Sequence, residues 1–182
     1  MTAPTLSPTT LLPALRPATW RTHRGLSDDG FCDTVATIAL SRELCATFVC
    51  GNSDVSYRGL GELDLSARQA WELAARNLIT RARTPEGIRV LSRPHADGLQ
   101  VAMPGAPAES WLAHPHTFTI LDRHLAELLG GPVAWWWPAA GRLVAVPRAD
   151  VDKQAPGEGA LVEWRHGFPA AVSRHPLLAT PA

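Results

Sequence analysis

Apolar side chains recur at steps of three and four over residues 66–82, at Ala67, Ala70, Trp71, Ala74, Leu78 and Ala82. That spacing predicts one stripe of an α-helix. Ser66 stands three residues before Gln69. In this capping-box order, hydroxyl and amide each satisfy a backbone N–H at the start of the helix. Arg68, Glu72 and Arg76 alternate in charge at i,i+4 steps along another side. The pattern predicts an amphipathic helix of about four turns, with its Trp71 side against a sheet.

Elsewhere the period shortens to two. In residues 35–40, Ala36, Ile38 and Leu40 alternate with Val35, Thr37 and Ala39. In residues 44–50, Leu44, Ala46, Phe48 and Cys50 alternate with Cys45, Thr47 and Val49. Two strands joined by the polar break Ser41-Arg42-Glu43 make a hairpin. A helix over residues 34–49 is the competing reading. Gly51 to Asp54 are turn residues, and residues 55–57 are expected as a short third strand. Residues 88–91 and 99–103 are further β-like runs, separated by the turn signal Asp97-Gly98. Ser110-Trp111-Leu112 is expected as a brief helical turn. Thr119 is expected to cap a shorter helix with Asp122 three residues on, its stripe being Leu121, Leu125, Leu128 and Leu129 and its end Gly130-Gly131-Pro132. Residues 133–137 and 142–147 form the last clear hairpin, and residues 161–164 a closing strand.

The ends lack a period. Pro4, Pro8, Pro13 and Pro17 interrupt the first segment, where Leu11, Leu12 and Leu15 are expected to dock as a short turn. After Trp20 the polar residues 21–30 read as a loop. The expected organisation is a proline-rich segment over 1–30, one domain over 31–166 and a proline-containing tail over 167–182. Paired strands separated by single helices predict an α+β fold, a mainly antiparallel sheet of hairpins packed by one long and one shorter helix.

Charge is balanced, 17 basic against 17 acidic residues. That argues against a whole-protein field for nucleic acid or anionic membrane. Only Lys153 is a lysine among the basic residues; with the many Ala and Pro this reads as the codon bias of a GC-rich bacterial genome. The three cysteines, Cys32, Cys45 and Cys50, include no C-x-x-C pair, and reduced buried thiols are expected. No apolar run approaches the roughly 20 residues of a membrane span, and no secretory pattern opens the chain. A cytoplasmic protein without membrane contact is expected. There is no Walker A loop and no G-x-G-x-x-G, so no cofactor is expected.

Two groups remain as candidate sites. His114, His116 and His124 are the densest imidazole cluster; zinc takes three or four N, S or O ligands, and a His-x-His segment can offer two. Loop and helix-surface histidines are the simpler account. Trp135, Trp136 and Trp137 are consecutive. On a strand, period two sends Trp136 to the face opposite its neighbours, where it needs covering by the domain or by a partner. The serine of Gly51-Asn52-Ser53 lacks the second glycine of a nucleophile elbow.

From Asp33 onward, V-C-G-N-S-D-V-S-Y followed by L-S-A-R-Q-A-W-E-L-A-A-R-N-L, then L-A-E-L-L-G-G-P and A-V-P-R-A-D, resembles the YtpQ-like bacterial family in order and pattern. The resemblance spans about two-thirds of the chain. It implies a single cytosolic α/β-type domain, and it supplies no catalytic residue, since the family's function is unknown. The leading expectation is therefore a non-enzymatic binding or interaction protein that uses its aromatic surface for a protein partner or for self-association. The alternative is a small-molecule hydrolase or metal-dependent enzyme centred on the histidines.

Overall fold

Two antiparallel sheets share one core in the computed structural model, which describes residues 5–26, 32–96, 98–151 and 159–172. In chain order, β1 is Leu12–Pro17, β2 is Arg24–Leu26, β3 is Cys32–Thr34, β4 is Thr37–Ala39, β5 is Leu44–Cys50 and β6 is Ser53–Asp54. Helices α1, Tyr57–Glu62, and α2, Ala67–Ala82, follow. Strands β7, Arg83–Thr84, β8, Gly87–Ile88, β9, Leu91–His95, and β10, Gly98–Ala102, lead to a 3-10 turn over Ala108–Ala113 and to α3, Pro115–Leu129. The chain ends with β11, Val133–Ala139, β12, Arg142–Pro147, β13, Ala160–Arg165, and β14, Phe168–Ala171. This is the α+β class that the alternating periods predict.

The first sheet has the order β1-β5-β4, with β6 also on β5. Its β4–β5 hairpin pairs Thr37 with Thr47 and Ala39 with Cys45, so the two-strand reading of residues 35–50 holds against the helical one. Strand β1 is a correction. The leucines expected to dock as a turn form a strand pairing Leu12 with Val49 through to Pro17 with Leu44. Leu11 and Leu15 are fully buried. Prolines do not forbid this at a sheet edge, where one side of the strand needs no ladder N–H. The run expected as a loop after Trp20 likewise contains β2, which pairs with β3; residues 27–31 lie outside the described residues. Residues 55–57 do not form a third strand. Ser56 instead caps α1, its hydroxyl accepting from the Gly59 N–H at 3.1 Å.

Helix α2 is built as its sequence predicts. The Ser66 Oγ accepts from the Gln69 N–H at 3.3 Å, and Gln69 Oε1 accepts from the Ser66 N–H at 2.9 Å. Its stripe joins two apolar clusters: Ala70 and Ala74 pack with Phe48 and Leu60, while Leu78 and Ala82 pack with Leu15, Trp111 and Trp135. Trp71 borders both and donates its indole N–H to the Ala113 carbonyl at 2.8 Å.

The second sheet runs β14-β13-β11-β12-β10-β9. Pro94 sits on its edge strand β9, again where a missing donor is tolerated. Strand β14 lies within the expected tail yet closes the other edge. One face of this sheet carries Val133, Trp135, Trp137, Leu143, Ala145, Ala160 and Val162 into the shared core, against Phe118, Leu121 and Leu125 of α3.

If β1 is a core strand, Leu15→Ala should lower the unfolding free energy by about 2–5 kcal/mol. Chemical denaturation measures it; a loss below about 1 kcal/mol would return this segment to a loosely docked turn.

Candidate functional site

Helix α3 starts five residues earlier than an N-cap at Thr119 suggests. Pro115 occupies its first turn, where the missing N–H costs nothing, and His114 is the N-cap, its Nδ1 accepting from the His116 N–H at 3.1 Å. Asp122 is thereby released from any capping role; it accepts the Trp135 indole N–H at 2.9 Å. The helix ends on Gly130 at φ 73, a left-handed cap that a residue with Cβ adopts at a cost.

This geometry separates the three histidines. His114 is buried at the cap, and His116 and His124 are exposed on α3. Eight residues on a helix rise about 12 Å. Among the described residues, no three His, Cys, Asp or Glu side chains are gathered to hold a metal ion. The metal reading of His114, His116 and His124 is corrected accordingly: a His-x-His pair straddling a helix start does not converge as it does on an extended segment.

His114 has other partners. Its ring lies 4.4 Å from that of Trp71, and its Nε2 lies 3.5 Å from Glu72 Oε2, without the alignment of a hydrogen bond. Glu72, placed by the i,i+4 pattern among arginines, thus reaches a buried imidazole. Burial pushes the His114 pKa below its ordinary 6.5; Glu72 opposes that shift, and His116 adds to it. The imidazole is accordingly held neutral.

Glu109 is a buried acid that no periodicity marks. Its Oε1 accepts from the Gly141 N–H at 2.6 Å, whereas Oε2 has no hydrogen-bond partner among the described residues. Burial raises its pKa above the ordinary carboxylate value, and the hydrogen bond from Gly141 only partly opposes this. Cys45 is also inert: burial raises its pKa to about 11, over the opposing charges of Arg21 and Arg16, which leaves almost no thiolate at neutral pH. Cys50 is buried too, and the Cys32 side chain lies outside the described residues. Ser53 is exposed in β6 with no nucleophile elbow around it.

The tryptophan triplet divides as period two requires. Trp135 is fully buried and Trp137 nearly so, both in the core. As members of a binding surface they are corrected to core residues, leaving Trp136 on the outer face. There the Arg142 guanidinium carbon lies 6.0 Å from the Trp136 ring centre, and the His95 ring packs edge-on at 5.8 Å. Arg142 Nη2 and His95 Nε2 are 3.2 Å apart. Gly159, at φ 138, passes close by: a Cβ there would stand 2.6 Å from Pro138 Cα and 2.9 Å from Trp136 Nε1. Only glycine permits that approach. Trp136 is consequently half-buried, with no hydrogen-bond partner for its indole N–H among the described residues.

The pairing registers place Leu91, Arg93 and His95 of β9, Arg142, Val144 and Val146 of β12, Leu161, Glu163 and Arg165 of β13, and Phe168 of β14 on this same face. Leu91 is 46% exposed and Phe168 39%. Glu163 is buried and accepts from Arg165 Nε and Nη2 at 3.3 and 3.2 Å, with Arg148 Nη1 on the same oxygen. None of these charged positions was singled out from the sequence. The available signal was a charge at every second residue of 163–165 and of 93–95, legible only once the strands are in register.

Compared with known proteins, the chain matches no family model, no curated protein and no solved structure. No helix among the described residues is long and apolar enough to cross a membrane.

Because the folded chain holds His114 neutral, the unfolded chain protonates first. Its contribution to stability is complete above pH 6.5 and is lost as pH falls from there through the lower folded value. His114→Asn keeps a capping acceptor and should flatten the stability slope just below pH 6.5, as read by urea midpoints across that range. An unchanged slope would show that the imidazole titrates as it does in water.

Glu109 has the opposite sign. Its raised pKa means that stability is fully present below pH 4.5 and declines as pH rises through the folded value. Glu109→Gln retains the acceptor for Gly141 and should raise the thermal midpoint at pH 7.5. A loss above about 1 kcal/mol would mean that the anion is well solvated by its surroundings.

Proposed function

We propose that this chain is a non-enzymatic interaction module, bacterial, cytoplasmic and of the YtpQ-like kind, that takes a protein partner on the Trp136 face of the second sheet. One observation carries the reading. The α3 helix and the 3-10 turn pack on this sheet through its Trp135 face, while the opposite face exposes Leu91 and Phe168 on its two edge strands, with Ala134, Val144 and Val146 buried between them and Trp136 half-buried. Large apolar groups on the face away from the helices suit an interface, where aromatic and arginine side chains supply most hot spots.

The alternative, hydrolase or metal chemistry centred on the histidines, draws less support. His116 and His124 stand apart, and His114 is occupied in capping α3.

Phe168→Ser, at an exposed position, should leave stability within about 0.5 kcal/mol yet weaken partner capture or self-association. Trp136→Ala should weaken the same association by about 2 kcal/mol or more. Denaturation, sedimentation and pull-down from a bacterial host are the measurements. An unchanged partner set and oligomeric state, together with a Trp136→Ala stability loss of about 3–5 kcal/mol, would make Trp136 a core residue and end the proposal.

A further inference from the structure

The chain is neutral overall, but its second sheet is not neutral on both sides. Its inner face bears no charged residue at any paired position, whereas the outer face bears Arg93, His95, Arg142 and Arg165, joined by Arg148 from just beyond β12. Among the paired strand positions of that face, Glu163 is the one carboxylate. At the strand positions three arginines stand against one acid, and the turn just beyond β12 adds Arg148 and Asp150, so the face is positive on a protein of zero net charge.

Glu163 does more than offset charge. Its side chain is 4% exposed, while those of Arg148 and Arg165 are 51% and 49% exposed. One buried oxygen thereby fixes two guanidiniums side by side at the surface. A guanidinium has five N–H donors in a rigid fork, and Arg165 gives Glu163 only its Nε and Nη2 groups while Arg148 gives Nη1. Among the described residues the pair therefore keeps donors and one net positive charge at a half-exposed surface. Phe168 is the residue paired across from Arg165 and lies on the same face. Toward the other edge, Arg93 is braced by Gln100 Oε1 at 3.1 and 2.8 Å, and Arg142 by the Trp136 ring.

We propose that this face docks an acidic segment of a protein partner, its carboxylates on Arg148 and Arg165 and an adjoining apolar side chain against Phe168. This rests on the interaction-module reading and names the partner's chemistry. Charge complementarity favours such a segment because pre-paired arginines bind carboxylates bidentately. Single-stranded nucleic acid would use the Trp136 ring as a stacking platform, and that ring is already occupied by His95 and Arg142.

The test uses fluorescence anisotropy with a short labelled peptide of Glu-Glu-Phe-Gly repeats, its lysine counterpart and an oligothymidylate of equal charge. The acidic peptide should bind saturably, weaken as salt rises and outcompete both others. R148Q/E163Q/R165Q, which removes the paired group together and strands no charge, should weaken it by about tenfold or more, whereas R93Q/R142Q, which leaves Glu163 with both partners, should weaken it by less. Failure of the acidic peptide to saturate, undiminished binding by R148Q/E163Q/R165Q, or tighter binding of the oligothymidylate would each overturn the proposal. If Phe168→Ser still disrupts partner capture while both charge variants do not, the module stands and the acidic partner falls.

Discussion

Strand β11 runs through the middle of the second sheet, and the alternation of its side chains fixes what each side of the molecule can be. Trp135 and Trp137 fill the core, and Trp136 is sent to the other face. The large inward indoles require a covering helix, and α3 supplies it: Phe118 meets Trp135 edge-on at 6.0 Å and Trp164 at 4.9 Å. Asp122 then accepts the Trp135 N–H, so a donor that burial would leave costly is satisfied. A one-residue slip of β11 would exchange core for surface along the whole hairpin. The bulge between Trp136 and Ala139 and the tight turn to Arg142 hold the register.

The polar groups buried around that core show where the packing concedes something. Glu109 holds the β11–β12 turn through Gly141 at the cost of an oxygen without a hydrogen-bond partner among the described residues, and burial pushes it toward the protonated acid. His114 begins α3 and touches α2 through Trp71 and Glu72, so it links the two main helices while being kept from its proton. Both are more readily understood as joints between elements than as reactive groups. Each depends on a single geometry, and each gives the stability of the fold a pH dependence of known sign.

Much of this was legible from period and caps. The Ser66–Gln69 box, the stripe from Ala70 to Ala82, the β4–β5 hairpin and the split of the tryptophan triplet all follow from local rules acting on adjacent residues. The failures have physical causes of two kinds. Strand β1 carries Pro13 and Pro17, and proline argues against a strand only where both edges are paired; at an edge the argument lapses. The start of α3 was hidden because Thr119 and Asp122 imitate a capping pair, while His114, with an imidazole acceptor and Pro115 behind it, makes the real one. Arg142, Arg148, Glu163 and Arg165 come together across strands, and no window on one segment contains that fact.

Net charge illustrates the same limit. A balanced composition argued against an electrostatic partner because it averages over the whole surface. Antiparallel pairing removes that averaging. An inner face that excludes charge forces every ionised residue of these strands outward, and here the strand positions supply arginines in excess of acids. With Glu163 buried beneath Arg148 and Arg165, the compensating charge orients the cations without hiding them. A field of a few ångströms' range, too local to appear in an isoelectric point, is what a short acidic segment would meet on approach.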